Sequence, residues 1–492
     1  MLIVGAGISG IGAACHLEDE CPSKSYAVLE ARDSLGGTWD LFRYPGIRSD
    51  SDMFTLGFRF EPWTDTKTLA DGPAILSYVR ETARKHGVEE KIRYHHRVVG
   101  LSWSSEEARW TVRVDRDGEQ IEITAGFVFL CSGYFDYAGG YTPEFDGLDR
   151  FGGTVVHPQK WPEDLDYTGK RVVVIGSGAT AVTMVPAMAD TAAHVTMLQR
   201  SPSYIVALPA VDPIARALRR VLPLKASYVV SRWKNVLIQL GTYNLSRWKP
   251  KLVRKLIRAG VKRQLPAGYD VDRHFKPVYD PWDERMCVVP DADLFKAISS
   301  GDAEMVTDTI ERFTETGIRL TSGRELEADI VITATGLNLI SLAAVDVRVD
   351  GEPVPVPDRL TYKSLMLEDV PNLAFTIGYT NASWTLKADL TSEFVCRLVN
   401  HMDERGYDVC VPHNDDPTIT AQPLIDLASG YVRRSIDQMP KRGSKPPWRL
   451  RQNYAVDIVN LRHGELEDGV MRFSRTAVGA RDGDAASQTV AA

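Results

Sequence analysis

Short apolar runs that end at glycine-rich turns alternate along the chain with stretches of helical periodicity, the pattern of a doubly wound α/β protein. Leu2 to Val4 runs directly into Gly5-Ala6-Gly7-Ile8-Ser9-Gly10, after which Ile11 to Leu17 predicts a helix. Tyr26 to Leu29 predicts the next strand, ending at Glu30. Trp103 to Thr124 alternates apolar and polar residues around Asp117-Gly118 and predicts a β-hairpin, and Phe127 to Leu130 predicts a buried strand entering Cys131-Ser132-Gly133. The motif then repeats. Arg171 to Ile175 leads into Gly176-Ser177-Gly178-Ala179-Thr180-Ala181, and the strand that follows, Val195 to Leu198, ends in Gln199-Arg200-Ser201. Asp329 to Thr333 predicts a strand closing on Ala334-Thr335-Gly336, and Pro371 to Gly378 another. Leu390, Phe394, Val395, Leu398, Val399 and Met402 share one face of a predicted helix.

Each strand–glycine–helix turn is a phosphate cradle. The first glycine permits the tight turn, the second lets a pyrophosphate approach the backbone, and the third position lets helix and strand pack while the helix N-terminus meets the charge. In the first cradle Gly5, Gly7, Ser9 and Gly10 are the candidate contacts, and Glu30 can accept from ribose hydroxyls, which suits an unphosphorylated adenosine, as in FAD or NAD. The second, Gly176 to Ala181, is followed by no acid. A carboxylate would repel the 2'-phosphate of NADPH, whereas Arg200 would pair with it and Ser201 donate to it. The alternative is an Arg200 that simply faces water. The expected architecture is two Rossmann-like dinucleotide-binding domains, the NADPH domain inserted in the FAD domain. Residues 1–150 and 336–475 form the FAD domain, 151–162 a linker, and 163–335 the NADPH domain with a helical insertion at 213–269. Residues 476–492, rich in Gly, Ala, Ser and Asp, form an expected disordered tail.

Composition narrows the class. Among 492 residues, 44% hydrophobic and 25% charged content excludes a disordered or fibrous protein. There is neither a run of 18 uncharged apolar residues nor a signal peptide, so the expected location is the cytoplasm. The first strand begins almost at Met1, which leaves open whether a few residues precede it. Six scattered cysteines lack metal-ligand or disulfide-framework spacing and read as packing residues in a reducing compartment; no metal is expected. The net charge of −7 conceals one asymmetry: residues 213 to 269 contain fourteen Lys and Arg and no Asp or Glu. This segment reads as a helical cap whose charges face water, or as a surface that associates peripherally with anionic membrane. No nucleic-acid-binding motif accompanies it.

Two further stretches carry chemistry. Residues 36 to 50 read Gly-Gly-x-Trp, four residues, Tyr-Pro-Gly, three residues, Asp, a loop suited to a planar ligand. Within 151–162, Phe151, Gly153, His157, Trp161 and Pro162 fall at the spacing Phe-x-Gly-x-x-x-His-x-x-x-Trp-Pro, with glycines for hinge freedom and aromatics for anchoring. Both patterns resemble those of class B flavin monooxygenases, specifically Baeyer-Villiger monooxygenases of the ethionamide monooxygenase type, and the likeness extends over nearly the whole chain. The resemblance implies that Thr38, Trp39, Asp40 and Leu41 line the flavin. It puts Arg48 and Asp50 where flavin and nicotinamide meet, with Ser49 also in contact with cofactor, and Val98 against the adenine end of FAD. Arg285 occupies the position of the family's essential arginine, paired with Asp50. Glu284 departs from relatives that carry a lysine there to help hold the 2'-phosphate.

The activity implied is formation of a C4a-peroxyflavin from FAD, NADPH and oxygen. That species would convert a ketone to an ester or lactone, or transfer oxygen to sulfur. A permanent cation suits the first route, because the peroxide must stay unprotonated. A disulfide reductase would need a cysteine pair beside the flavin, and residues 36 to 50 contain none. The remaining alternatives are a heteroatom-oxidising flavin monooxygenase without ketone activity and a non-enzymatic, NADPH-responsive membrane-binding protein. The substrate, its regiochemistry and the oligomeric state are left open.

Overall fold

The computed structural model describes residues 1–476; apart from its first residue, the tail expected at 476–492 lies outside them. Strands of three apolar residues, each buried on both faces, sit inside a sheet that is covered on both sides. Leu2–Val4, Ala27–Leu29, Val128–Leu130 and Leu373–Phe375 are of this kind and pair in parallel at the centre of a seven-stranded sheet. Helix α1, Ile8–Glu20, starts at the first glycine turn. The second sheet is wholly parallel, in the order Ala303–Thr307, His194–Gln199, Arg171–Ile175, Ile330–Thr333, Thr154–Val156. Its glycine turn opens helix α2, Ala179–Ala189.

The stretch expected to be a linker therefore carries a strand of its own. Thr154-Val155-Val156 is β-branched throughout and pairs with Ile330–Ile332, while buried Phe151 meets Phe313 edge-on, with ring centroids 6.0 Å apart. The single hairpin expected at 103–124 is also corrected. Asp117 and Gly118 do turn at positive φ, 52° and 92°, as a two-residue hairpin loop demands. A second turn precedes it, however, because Trp103 pairs with Trp110 across the strands Arg97–Ser104 and Arg109–Arg116, burying both indoles.

Residues 213 to 269 form three helices, α3 (Pro213–Val221), α4 (Leu224–Trp248) and α5 (Pro250–Gln264). Their charges do not all face water: Arg232 is buried, and Lys234, Arg247, Arg254 and Arg258 form ion pairs with Asp212, Asp283, Asp280 and Asp272. Helix α6, Trp384–Arg405, is mostly buried and packs on α1, completing the first domain. Among the described residues, no helix is long and apolar enough to cross a membrane.

Candidate active site

The C-terminal ends of the parallel strands of both sheets face one cavity of about 1380 Å³, larger than the roughly 300–1,000 Å³ of an ordinary small-ligand pocket and lined by both glycine turns. Gly5 turns at φ +101°, and a Cβ on Gly10 would lie 1.8 Å from the Gly5 carbonyl oxygen, so the helix can start here only on glycine. Ser9 lines the cavity and accepts a 2.7 Å hydrogen bond from Trp384 Nε1 at the start of α6. At the end of the next strand Glu30 accepts from the backbone N–H groups of Ala6, at 2.7 Å, and Arg32, at 3.0 Å. Burial pushes its carboxyl up while those donors hold it down. Val98 lines the same end.

The loop from Gly36 to Asp50 bridges the two sheets. A Cβ on Gly46 would sit 2.6 Å from Ala187 Cβ and 2.9 Å from Thr183 O, so glycine lets the loop lie on α2. Thr38, Trp39, Arg48, Ser49 and Asp50 line the cavity. Asp40 and Leu41, expected to join them, do not. Asp40 is buried among Arg32, Arg43 and Arg80, at 2.8, 3.0 and 3.0 Å, a site that satisfies its charge away from the cavity, and Leu41 packs in the apolar cluster of the second domain. Arg48 donates through Nη1 to Asp293 at 2.6 Å, yet its Nε and Nη2 are buried without partners. Buried guanidinium nitrogens left unpaired are costly, and a polar or anionic ligand in the cavity would satisfy them.

In the second cradle, Gly176, Ser177, Gly178, Ala179 and Thr180 line the cavity, whereas Ala181 is fully buried at the packing position. A Cβ on Gly176 would collide with Ala334 O at 2.3 Å, while the space beside Gly178 is open, room for a phosphate to approach the backbone. Arg200 and Ser201 stand exposed at the cavity rim. Gln199 turns away, donating to His274 O and Thr307 Oγ1 at 2.8 Å each. Glu284 lies near enough to Arg200 and Arg433 that their charges oppose the upward push of burial on its carboxyl.

Arg285 faces the cavity from the middle. Its side chain is exposed by area but densely surrounded by protein, because the surface it shows is the cavity wall rather than bulk solvent. Among the described residues it makes neither a hydrogen bond nor an ion pair. Burial alone would weaken its charge, but the surrounding groups, Asp50 among them, outweigh that and keep it above the ordinary arginine value. The resemblance pairs Asp50 with Arg285, but the two form no ion pair among the described residues; burial pushes the Asp50 carboxyl up while Arg285 and Arg48 pull it down from a distance. A free cation held by surrounding oxygens but not neutralised is available to an anion in the cavity.

Phe151, Gly153, His157, Trp161 and Pro162 do not line the cavity. They pack outside it instead. His157 Nε2 meets Gly336 O at 3.2 Å, at the return from the second domain, and accepts from Gln159 N at Nδ1, also at 3.2 Å. Gly140 must be glycine because a Cβ there would lie 1.9 Å from the His157 ring. Phe151 sits against Gly153, whose Cβ would strike its ring at 2.6 Å, and Trp161 meets Tyr167 edge-on at 6.5 Å, with Pro162 following.

Sequence reasoning missed four residues that close the cavity around Arg285: Tyr134, Trp384, Tyr431 and Arg434. Tyr134 packs on Trp384 at 5.1 Å, and Arg434 lies 3.5 Å over the Tyr141 ring. Only Tyr134 carried a signal, its place just beyond a buried strand that ends at the ligand edge of the sheet. All six cysteines are free and buried, as expected of packing residues, although Cys131 and Cys287 also line the cavity. They are not a redox pair. Cys131 Sγ faces Thr376 Oγ1 at 3.7 Å and Cys287 Sγ faces Ser177 O at 3.9 Å, and burial pushes the Cys131 thiol up to about 12.

The sequence profile of flavin-binding monooxygenase-like proteins matches residues 64–342, and that of an NAD(P)-binding Rossmann-like domain matches residues 3–69. The FAD-containing monooxygenase EthA of Mycobacterium tuberculosis is 56% identical over 96% of this chain and 97% of its own. The probable FAD-binding monooxygenase AlmA of Acinetobacter baylyi is 47% identical over 96% of each. The fold is that of a steroid monooxygenase solved with NADP, with a TM-score of 0.75 at 23% identity over 96% of this chain and 99% of that one. A cyclohexanone monooxygenase variant from Rhodococcus matches with a TM-score of 0.71 at 20% identity, over 84% of this chain and 88% of that one. With a profile matched over more than half its length and relatives this similar from end to end, the chain belongs to the flavin-binding monooxygenase-like family and is a flavoprotein oxidoreductase.

Proposed function

We propose that the protein is an FAD- and NADPH-dependent monooxygenase that inserts an oxygen atom beside a ketone carbonyl, giving an ester or lactone. The observation that carries this reading is Arg285, an unneutralised guanidinium facing the cavity between the two cradles. Bound and reduced, the flavin supplies the oxygen-activating chemistry, with electrons drawn from the nicotinamide cofactor. The chain's own part is to bind, orient and stabilise. Glu30 would accept from the FAD ribose, and the N-termini of α1 and α2 would hold the two pyrophosphates. Arg48 would turn its unpaired Nε and Nη2 toward the cofactors. Arg200 and Ser201 would take the 2'-phosphate, with Glu284 close enough to weaken that preference and leave some tolerance of NADH.

Arg285 cannot give up its proton near neutral pH, so it stabilises an anionic oxygen nucleophile without protonating it. Asp50, between Arg285 and Arg48, tempers that field. Tyr134 and Tyr431, phenols that burial keeps protonated, wall the space a carbonyl would enter.

Oxidation of sulfur or nitrogen is the second reading, which the sequence resemblance to ethionamide monooxygenases also implies. The non-enzymatic alternative falls with membership of the family. Mass spectrometry of products from linear, cyclic and aryl ketones and from sulfides, incubated with FAD, NADPH and oxygen, separates the two. Esters or lactones support the first reading. Sulfoxides with every ketone returned unchanged would leave only the second.

A further inference from the structure

Helix α4 is inside out. An amphipathic helix on a protein surface turns apolar residues inward and polar residues to water. Here the inward face, beside the buried Val236 and the packed Leu240, carries Tyr228, Arg232, Asn235 and Gln239, each hydrogen-bonded to the body of the protein. Tyr228 Oη donates to Phe58 O at 2.9 Å, Arg232 Nη1 to Phe54 O and Gly57 O at 2.7 Å each, and Asn235 Nδ2 to Asp52 at 2.7 Å. The outward face carries Val230, Trp233, Leu237 and Trp248, at helical spacing, with Val229 and Ile238 flanking them. Leu237 is 64% exposed and Trp248 74%. Of fifteen large apolar side chains exposed among the described residues, eleven lie between 213 and 269, the segment that contains no acidic residue. Exposed apolar side chains gathered in this number on one segment mark an interaction surface.

The charge around the stripe selects its occupant. Arg216, Arg220, Lys225, Lys251, Lys255 and Lys262 are exposed on α3, α4 and α5 and form no ion pair among the described residues, and Lys249 lies 4.7 Å over the Trp248 ring. A second copy docked through this face about a two-fold axis would bring like charges together with no acid on the segment to offset them. An anionic bilayer supplies what both features need, headgroup charge for the lysines and arginines and an apolar layer for the stripe, while indoles favour the boundary between them. The far side of α4 approaches the cavity, since Gln239 reaches Asp52 and Thr55, Tyr243 meets Trp282 at 5.7 Å, and Arg247 pairs with Asp283 in the loop before Arg285.

We propose that the outward face of α4, with the basic surfaces of α3 and α5, docks on an anionic lipid bilayer and inserts its apolar stripe at the headgroup boundary. Charge alone would give a contact that salt abolishes; the stripe adds one that salt does not.

The test is flotation of the purified, flavin-loaded protein with vesicles of phosphatidylcholine, alone or mixed with phosphatidylglycerol, at low and high salt. Binding is expected to be at least about ten-fold tighter on the mixed vesicles. High salt should reduce it without abolishing it. Leu237→Glu combined with Ile238→Glu should weaken it about ten-fold or more, and Lys251→Glu combined with Lys255→Glu should remove the preference for phosphatidylglycerol. An unchanged melting transition and unchanged NADPH oxidation in vesicle-free solution confirm that these exposed positions leave the fold intact. Absence of binding, binding that the Leu237 and Ile238 changes do not affect, or a stable dimer by light scattering that those changes dissociate would each overturn the proposal. The last result would assign the face to a second copy.

Discussion

Arg232 on α4 and Asp389 on α6 form an ion pair at 3.3 Å with both side chains almost wholly buried. A buried pair survives only if its remaining valences are filled. Two backbone carbonyls fill those of Arg232, while Asp389 also accepts from Arg59 N at 3.1 Å and lies 3.6 Å from His16 Nε2 on α1. One carboxylate thus serves two cations from two helices, tying the basic segment to the helix of the first cradle. Asp389→Asn strands Arg232 and is expected to cost about 3–5 kcal/mol, read as a lower denaturation midpoint at unchanged slope.

The same network sets a pH dependence. Burial disfavours charge on His16, but Asp389 and Glu20 outweigh it and carry the imidazole up to about 9. Its stabilisation is therefore complete below the ordinary histidine value of about 6.5 and lost as pH rises through about 9. Asp389 is the opposite case: burial would raise its carboxyl, but His16 and Arg232 hold it below the usual range, so its contribution is present above about 3.9 and lost as pH falls below that. Melting temperature against pH should decline on both limbs. His16→Gln should flatten the alkaline decline between about 6.5 and 9, and a decline of unchanged shape would assign it to other groups.

Arg285→Ala should purify yellow, because the flavin's phosphates and ribose would be held by the distant first cradle. Product formation should fall by about 10²–10³, the usual loss when one preorganised charge is removed from a developing anion. NADPH consumption should then end in released hydrogen peroxide. A variant that keeps its ratio of product to NADPH would remove Arg285 from the oxygenation step.

Arg200→Ala should weaken NADPH by about 1.5–3 kcal/mol, the worth of a hydrogen bond to a charged group, and leave NADH nearly unchanged. Apparent affinities for both nucleotides measure it. Glu284→Lys should shift the preference the other way, toward NADPH, by removing the carboxylate beside Arg200.

Trp161→Ala should leave both cofactors bound and slow turnover, since Trp161 lies outside the cavity and anchors the chain that follows the edge strand Thr154–Val156. Stopped-flow flavin reduction alongside steady-state rates tests this. Loss of flavin or of folding would instead make Trp161 an ordinary packing residue.

Both cradles, the acid at the end of one and its absence from the other, and the helical nature of 213–269 were legible in the chain, because glycine turns and periodicity are local consequences of backbone sterics. What depends on contacts between distant residues was not. Asp40 was placed beside the flavin until three arginines, two of them from outside its own loop, claimed it. The linker read as mobile until Ile330–Ile332 offered its β-branched run a partner. Tyr134, Tyr431 and Arg434 join Arg285 across three separate stretches that no spacing connects. The direction of α4 is the plainest case. The sequence alone determined that its residues form a helix, but which face meets the protein depends on what the protein presents. Here that is the Phe54 and Gly57 carbonyls and the carboxylates of Asp52 and Asp389, polar groups that must be paired once buried, and they turned the polar face inward and left the apolar one outside.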